Sequence, residues 1–373
     1  MGGTIRILHV LQRMEAAGVQ TLLMNLYRNI DRSKVQFDFL VHYTKPQFFD
    51  DEIESLGGKI YRMSVREDLN FIKYTHALKN FFDEHPEYKI VHGHMHSLGA
   101  FYLKAAKQHH VPVRIAHSHT NATQNDMKKL VKTWMNKRYA KYATDLMACS
   151  EAAGKYMFGD ASFKVVNNAI DAERFAFDQK SRQQKRCELK IDDKFVIGSI
   201  GRFEIQKNQK FSVQVFEQYL KQNTDAVLLL VGSGSMEKEV KEFVASKQLT
   251  DKVMFLGNRS DVAELYQAMD VFLMPSLFEG LGIVGVEAQA AGTPVVCTDT
   301  LPHEIDISPL INRVSLSEPL TVWAEAVDHA SKNGLRHSDM REYLKRANYD
   351  IHSLAVWLQD FYLEKYVQAN EWL

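Results

Sequence analysis

Short runs of aliphatic residues, bounded by polar residues or glycine, recur along the first half of the chain. These runs are IRILHVL, FDFLVH, KIVHGHMH, VRIAHSH, DLMACS and FKVVNNA. They alternate with segments in which apolar residues recur at helical spacing, such as GVQTLLMNLYRNI and FIKYTHALKNFFDEH. This alternation of buried strands with amphipathic helices predicts repeated β-α units around a parallel sheet.

A second series of the same units follows in the other half, with the strand-like runs FVIGSIGR, AVLLLVGSG, KVMFLGN, DVFLMPS and TPVVCTD. We therefore expect an α/β protein with two Rossmann-like, doubly wound domains that face a central cleft. Ligands in open α/β sheets bind beyond the carboxyl ends of the strands, so this cleft is the expected active site. The expected domains are residues 1–170 and 171–350, and residues 351–373 are expected to form a helix that crosses back to the first domain.

The composition is that of an ordinary globular protein. Of 373 residues, 45% are hydrophobic and 25% are charged, and the formal net charge is +0. Such a balance gives no overall attraction to nucleic acid. The three cysteines are far apart and form no C-x-x-C pair, which favours a reducing compartment over a disulfide or zinc framework. The aliphatic runs are too short to span a bilayer, so we expect a cytoplasmic protein.

Residues 276–296, SLFEGLGIVGVEAQAAGTPVV, place two acids, Glu279 and Glu287, on either side of a glycine-rich run. The pattern predicts a loop at the end of a strand, followed by a helix that ends near Gly292. Glycines allow the backbone to approach a ligand, and the amides at a helix N-terminus favour a phosphate. Because carboxylates accept hydrogen bonds from hydroxyl groups, this combination favours a sugar-nucleotide site over a solvated surface loop.

The same stretch resembles the E-x7-E signature of the retaining glycosyltransferases of family four. GRFEIQKN, LLLVGSG, FLGNRSDV and VVNNAID agree with that family in order and spacing, so the resemblance covers essentially the whole chain. It implies the GT-B fold of two Rossmann-like domains. The segment GVQTLLMNLYRNIDRSKVQFDFLV is most similar to the branch that makes capsules and exopolysaccharides. The resemblance therefore implies transfer of a hexose from a nucleotide-diphosphate sugar, with UDP as the expected nucleotide, to a growing glycan.

The resemblance also implies roles for individual side chains. Arg202 and Lys207 follow the strand VIGSIG, and a guanidinium with an ammonium can neutralise a diphosphate leaving group. By this resemblance, Glu279 and His119 are expected to hold the sugar, and Glu287 is expected to hold the ribose. His119 matches a histidine that the family has at the end of a strand in its first domain. The other expected donor-binding residues are Gly18, Gly232, Gly234, Arg259, Gly280, Leu281, Gly282 and Ile283.

Two histidine-rich motifs raise the question of a metal site. HGHMH contains His92, His94 and His96, and HSH contains His117 and His119. Alternate residues of a strand share one face, yet no carboxylate or cysteine follows at ligand spacing. The chain also has no Asp-x-Asp motif. We therefore expect neither a metal nor any other cofactor, and His117 is the alternative to His119 as the sugar-binding histidine.

The segment MKKLVKTWMNKRYAKYA is basic and contains no acid. Lys128, Lys129 and Lys132 accompany an apolar stripe that includes Trp134. Two interpretations remain open: a solvated helix packed on its own domain, or a surface that docks on anionic lipid. Since enzymes of this kind often extend lipid-linked sugars, we slightly favour the second, with peripheral contact at the inner face of the membrane and access to the acceptor.

Two alternative functions also fit parts of the pattern. One is a GT-B sugar-nucleotide epimerase, which would need general acid and base carboxylates near the sugar. The other is a non-catalytic module that binds a nucleotide sugar or a glycan. The presence of Arg202, Lys207, Glu279 and Glu287 together favours a retaining, metal-independent hexosyltransferase over a silent binding module.

Overall fold

The computed structural model describes residues 3–15, 18–95, 98–119 and 138–371. The chain divides into two compact units: unit 1 is Met1–Ile170 with Asn348–Leu373, and unit 2 is Asp171–Ala347. Each unit has its own parallel sheet. None of the helices in the described ranges combines the length and the apolar character that crossing a bilayer requires.

Unit 1 contains a seven-stranded sheet in its described part, with the strand order β3-β2-β1-β4-β5-β6-β7. The strands are β1 Ile5–Leu11, β2 Val35–Val41, β3 Ile60–Arg62, β4 Ile90–Gly93, β5 Val113–Ser118, β6 Asp145–Ala148 and β7 Lys164–Val165. The helices are Gly18–Asn29, Asp50–Ser55, Val65–Asp68, Phe71–Glu84, Gly99–Gln108, Glu151–Phe158 and Ile351–Glu371.

The alternation of side chains along β1 divides the core of unit 1 between two faces of the sheet. Ile7 and Leu11 pack on the face that the helix Gly18–Asn29 covers. Leu8 and Val10 pack on the opposite face. The last helix joins the first of these cores through Ile351, Ala355, Leu358 and Tyr362, so the end of the chain completes the core of the unit that the beginning of the chain forms.

Unit 2 contains a six-stranded sheet in the order β10-β9-β8-β11-β12-β13. The strands are β8 Phe195–Ile200, β9 Ala226–Val231, β10 Val253–Gly257, β11 Val271–Met274, β12 Val295–Thr298 and β13 Ile311–Val314. The helices are Ala172–Phe175, Gln179–Leu189, Gln209–Leu220, Glu237–Ser246, Val262–Ala268, Ile283–Ala290, Leu320–Ser331 and Arg341–Arg346, and short 3-10 helices span Ile205–Lys207 and His303–Ile305. The strand order reverses between β8 and β11, which is the topological switch point where doubly wound sheets bind ligands.

The two strands that the sequence pattern did not predict, β3 and β13, lie at sheet edges. Both are incompletely buried, and their sequences IYR and INRV each carry an arginine. An edge strand has a neighbour on one side only, so it needs less apolar surface than a central strand. The predicted architecture of two parallel α/β sheets is confirmed, and the periodic apolar signal is weakest where the sheets end.

Candidate functional site

The switch point of unit 2 brings two loops together. The loop after β8, residues 201–208, and the loop after β11, residues 275–282, leave adjacent strands at their carboxyl ends. The backbone N–H of Leu277 donates to the carbonyl oxygen of Gln206 at 2.8 Å. The side-chain amide of Gln206 donates to the carbonyl oxygen of Phe278 at 2.8 Å. These bonds hold the two loops as one surface at the carboxyl edge of the sheet.

Two residues predicted to be catalytic meet on that surface as an ion pair. Nζ of Lys207 lies 2.6 Å from Oε1 of Glu279, and the two side chains are 17% and 7% exposed. Nε2 of Gln206 lies 3.4 Å from the other carboxylate oxygen. Since little water screens the pair, the attraction is stronger than that of a surface salt bridge. The sequence indicated both residues, but it did not indicate that they contact each other.

Arg202, the third residue of the predicted set in this unit, is exposed in the same loop. Its backbone carbonyl accepts a hydrogen bond of 2.7 Å from the side chain of Gln209. Within the described ranges, its guanidinium has no hydrogen-bond partner. The loop after β8 therefore supplies one cation held in a pair, Lys207, and one cation that extends from the surface.

The predicted glycines after β9 pack directly on this loop. Gly232 has φ +128°, and a Cβ added to it would lie 2.1 Å from the carbonyl oxygen of Gly201. A Cβ on Gly234 would lie 2.4 Å from the carbonyl oxygen of Phe203. The N–H of Phe203 donates to the carbonyl oxygen of Ser233 at 2.9 Å. These glycines support the loop that carries Arg202, and their predicted contact with the donor stays a prediction.

The loop after β11 leads into the helix Ile283–Ala290 through Gly282, which has φ +86°. This left-handed conformation is one that glycine adopts without steric cost. The N–H of Gly285 donates to the carbonyl oxygen of Gly282 at 2.8 Å. The amides of the first turn point along the helix axis toward the loop, where the helix dipole favours an anion. The predicted residues Gly280, Leu281, Gly282 and Ile283 thus form the entry to a helix N-terminus.

Glu287 lies one turn further along the same helix. The Tyr266 hydroxyl is 3.0 Å from Oε2 of Glu287 and 3.1 Å from the carbonyl oxygen of Val284. Burial raises the pKa of Glu287 to about 7, although the Tyr266 bond and the charges of Arg174 and Lys207 act in the opposite direction. At neutral pH this carboxyl group is therefore close to the midpoint of its titration.

The sequence interpretation did not single out Gln206, Tyr266 or Arg174. Gln206 lies in GRFEIQKN and Tyr266 in LYQAMD, two segments that agree with the family, but neither residue type indicates a role by itself. Arg174 follows VVNNAID, and its guanidinium donates to the carbonyl oxygen of Ser260 at 3.1 Å. Only the folded chain shows that Gln206 contacts Glu279, that Tyr266 contacts Glu287 and that the charge of Arg174 acts on Glu287.

Arg259 lies in a surface charge network. Its guanidinium makes two bonds to the carboxylate of Asp261, at 2.7 and 2.6 Å. Lys185 lies 2.7 Å from the same carboxylate, and Glu188 is 3.6 Å from Arg259. The bond to Asp261 raises the pKa of Arg259. This arrangement accounts for Arg259 as a structural residue, and its proposed contact with the donor stays a prediction.

In unit 1, five histidines converge at the carboxyl ends of three neighbouring strands. His9 of β1 pairs in register with His92 of β4. Nδ1 of His9 lies 3.0 Å from Nε2 of His94, and Nδ1 of His94 lies 2.9 Å from Nε2 of His119. Nε2 of His92 lies 3.1 Å from Nδ1 of His117. The predicted sugar-binding histidine, His119, is thus the outer member of a layer of imidazoles.

Burial keeps the inner histidines uncharged. It lowers the pKa of His9 to about 3 and the pKa values of His92 and His94 well below 6.5. Two triads, His9 with His92 and His94, and His94 with His117 and His119, bring nitrogen atoms within 4.8 Å of one another. Neutral imidazoles at such distances can either hydrogen-bond to one another or bind a metal. His9 gave no signal in the sequence, because it lies within the run IRILHVL and outside the two histidine-rich motifs.

Other predicted residues belong to unit 1 or lie outside the described residues. Gly18 is the first residue of the helix Gly18–Asn29, and among the described residues a Cβ added to it would meet nothing within 4 Å. The predicted membrane or acceptor surface of Lys128, Lys129, Lys132 and Trp134 lies outside the described residues, as does His96.

Known proteins match the chain along most of its length. Residues 16–174 match the family described as Glycosyltransferase Family 4, and residues 181–349 match the family described as Glycosyl transferases group 1. The chain is 35% identical to the putative glycosyltransferase EpsF of Bacillus subtilis (strain 168) over 356 residues, which cover 92% of this chain and 93% of EpsF. It is 25% identical over 312 residues to an Escherichia coli enzyme, the UDP-Gal:alpha-D-GlcNAc-diphosphoundecaprenol alpha-1,3-galactosyltransferase, with 79% of each chain covered.

Solved structures share the fold. The crystal structure of HepE from Anabaena in complex with UDP superimposes with a TM-score of 0.81 at 16% identity, and covers 96% of this chain and 100% of that chain. At such an identity the likeness shows the fold alone. It agrees with the predicted GT-B class, in which two Rossmann-like domains form one chain.

Proposed function

Because this chain belongs to the family 4, or group 1, glycosyltransferases, we propose that it transfers a hexose from a UDP-linked sugar to a growing glycan. We further propose that the product is a capsule or exopolysaccharide and that the reaction retains the anomeric configuration. Two comparisons support UDP as the nucleotide. The E. coli relative is by name a UDP-galactose-dependent transferase, and HepE was crystallised with UDP.

The observation that carries the proposal is the pairing of Lys207 with Glu279 at the switch point of unit 2. A cation and a carboxylate stand together where the Gly282 turn opens the helix Ile283–Ala290. A nucleotide sugar needs this set of groups, because its diphosphate takes cations and amides while its sugar hydroxyls take a carboxylate.

The proposed chemistry breaks the bond between the anomeric carbon and the diphosphate oxygen. Arg202, Lys207 and the amides of residues 280–283 stabilise the negative charge that develops on the leaving diphosphate. Glu279 and His119 hold the sugar hydroxyls, and Glu287 accepts hydrogen bonds from the ribose. The acceptor hydroxyl forms the new bond on the same face of the sugar, and its proton passes to the leaving phosphate.

The proposed acceptor is a lipid-linked glycan at the cytoplasmic face of a membrane. The E. coli relative acts, by its name, on a diphosphoundecaprenol-linked sugar. The basic segment MKKLVKTWMNKRYAKYA combines cations with Trp134 and Met135, a composition suited to peripheral contact with anionic lipid. Membrane contact would bring the transferase to an acceptor that cannot leave the bilayer.

The direct test measures the release of UDP from a panel of UDP-sugars, with and without excess chelator. We expect turnover with one UDP-hexose and its persistence in chelator, because Arg202, Lys207 and a helix N-terminus take the place of a metal at the diphosphate. Glu279→Gln serves as the inactive control. A chain that binds UDP-sugars without releasing UDP would be a binding module, and activity that returns only with added manganese would contradict the metal-independent reaction.

A further inference from the structure

The side chain of Gln206 connects the loop after β8 to Glu279 and to the residue before it. Its Nε2 atom lies 2.8 Å from the carbonyl oxygen of Phe278 and 3.4 Å from Oε2 of Glu279. Nζ of Lys207 lies 2.6 Å from the other carboxylate oxygen, Oε1. Consecutive residues of one loop therefore donate to the two oxygens of the same carboxylate.

The orientation of the Gln206 amide follows from its partners. A side-chain amide has a nitrogen that donates and an oxygen that accepts. The groups that face it here are the carbonyl oxygen of Phe278 and a carboxylate oxygen of Glu279, and both are acceptors when the carboxyl group is ionised. The reversed amide would place its oxygen against two other oxygens, so the donating orientation is the favourable one.

The backbone around this contact is held by further bonds between the two loops. Gln206 is the middle residue of the 3-10 helix Ile205–Lys207, and its carbonyl oxygen accepts a bond of 2.8 Å from the N–H of Leu277. Directly after this helix, Nδ2 of Asn208 lies 3.2 Å from the carbonyl oxygen of Pro275. Because these bonds already hold the loops together, the amide loses little conformational freedom when it contacts the carboxylate.

We infer that Gln206 is a positioning residue that fixes the orientation of the Glu279 carboxylate, and through it the fit of the donor sugar. The inference rests on the proposed function, in which Glu279 holds the sugar hydroxyls and Lys207 contacts the diphosphate. A diphosphate attracts the ammonium group of Lys207 more strongly than a neutral amide, so the donor competes less for the Gln206 contact. Since hydroxyl hydrogen bonds need a narrow range of distance and angle, the orientation of Glu279 selects the sugar hydroxyls that it can accept.

The sugar-dependent part of donor binding tests this role. It is the Kd of UDP divided by the Kd of the UDP-hexose that the chain uses, both measured by calorimetry. Since both ligands contain the nucleotide and two phosphates, a change in this ratio reports on contacts of the sugar. Gln206→Leu should lower the ratio about tenfold and change the Kd of UDP by less than about twofold. Turnover of that UDP-hexose should fall by about tenfold or more.

Two further variants separate the donated bond from other effects. Gln206→Glu has nearly the same shape but a carboxylate in place of the donor, so it should lower the ratio at least as much as Gln206→Leu. Asn208→Gly is the matched control, because it removes the bond to Pro275 between the same loops and keeps the left-handed backbone, φ +55°. Its ratio should stay near that of the wild type. A wild-type ratio in Gln206→Glu, or an equal fall in Asn208→Gly, would overturn the inference.

Urea unfolding gives a readout that needs no ligand. Gln206→Leu should destabilise the wild type more than it destabilises Glu279→Ala, because the second background lacks the carboxylate that accepts the bond. Equal losses in both backgrounds would refute the positioning role. Unequal losses, together with a wild type that binds no UDP-sugar, would refute the proposed function and leave Gln206 as the residue that orients Glu279.

Discussion

At the scale of single residues, Glu287 has the most distinctive titration. Burial raises its pKa to about 7. A carboxyl group can accept a ribose hydrogen bond on each of its two oxygens only when it is ionised. Protonation therefore competes with the ribose, and a group with a raised pKa loses its proton only as the pH rises through 7. If Glu287 binds the ribose as proposed, donor binding should therefore depend on pH near neutrality.

We predict that a UDP-sugar binds more tightly as the pH rises from below to above 7. If binding needs the ionised form, the affinity should change by up to about tenfold for each pH unit below the pKa. The diphosphate of a UDP-sugar does not change charge in this range, so calorimetric titrations across it report on the protein. Glu287→Gln should bind weakly and with little pH dependence. Wild-type affinity that stays constant across pH 7 would contradict the ribose assignment.

The pair of Lys207 and Glu279 leads to a prediction about stability. Removing one partner of a buried ion pair removes the attraction that offsets the burial of the other charge, which typically costs about 3 kcal/mol or more. We therefore expect Lys207→Ala to lower the free energy of unfolding of unit 2 by roughly that amount in urea titrations. Lys332→Ala is the matched control, because its partner Asp328 is 46% exposed and Lys332 itself 71% exposed. That substitution should cost less than about 1 kcal/mol.

A second variant separates electrostatics from packing. Lys207→Met with Glu279→Gln removes both charges and keeps most of the volume, so this double variant should be more stable than Lys207→Ala. Equal losses in the two variants would mean that the aliphatic stem of Lys207, and not its charge, stabilises the loop. Both variants should release no UDP under the proposed function.

At the scale of elements, the loop after β8 depends on the turn after β9. Gly232 and Gly257 both have positive φ, at +128° and +64°, but a Cβ would meet backbone only at Gly232, where Gly201 lies 2.1 Å away. At Gly257 an added Cβ would meet no atom of the described part of the chain within 4 Å. Gly257 therefore tests a left-handed φ without a clash, whereas Gly232 combines a clash with a φ that essentially only glycine adopts.

We predict that Gly232→Ala displaces the loop that carries Arg202 and weakens the binding of UDP by about tenfold or more. Gly257→Ala should cost about 1 kcal/mol of stability through its φ angle and leave binding nearly unchanged. Thermal denaturation and calorimetry measure the two effects separately. Equal affinity of the two variants for UDP would show that the clash is relieved without moving the loop.

At the scale of the whole molecule, the numbers of positive and negative side chains are equal, but the charges are unevenly distributed along the chain. The net charge is +0, so attraction to a membrane has to come from a local surface. The basic segment around Lys128, Lys129 and Lys132 has no acid to offset it. Each cation near an anionic leaflet is worth about 1 kcal/mol, and salt screens this attraction within a Debye length.

We predict that the chain sediments with anionic vesicles at low salt and that glutamate at Lys128, Lys129 and Lys132 abolishes this. The matched control places glutamate at Lys238, Lys332 and Lys345, which are exposed lysines of unit 2. Both triple variants have the same net charge, so a difference between them reports the position of the charges. Wild type that stays in the supernatant at low salt would favour a soluble acceptor. Donor binding should stay the same in both variants.

The sequence by itself determined the two parallel sheets and indicated Lys207, Glu279 and Glu287 at the switch point. A strand buried on both faces needs an almost continuous apolar run, so β9 and β11 were evident from their own residues. The spacing of Glu279 and Glu287 is equally local, because a loop and the helix that follows it contain both. Membership of the glycosyltransferase family was also predictable, because the motifs that indicate it are local in the sequence. The matches to the two family descriptions and to EpsF confirmed it.

Tertiary structure alone decided which of these side chains meet. Lys207 and Glu279 are 72 residues apart, His9 and His94 are 85 apart, and Tyr362 and His92 are 270 apart. Such contacts depend on strand order and on where the last helix packs, which no local pattern of apolar residues encodes. The raised pKa of Glu287 has the same origin, because burial is a property of the folded surroundings and not of the residue.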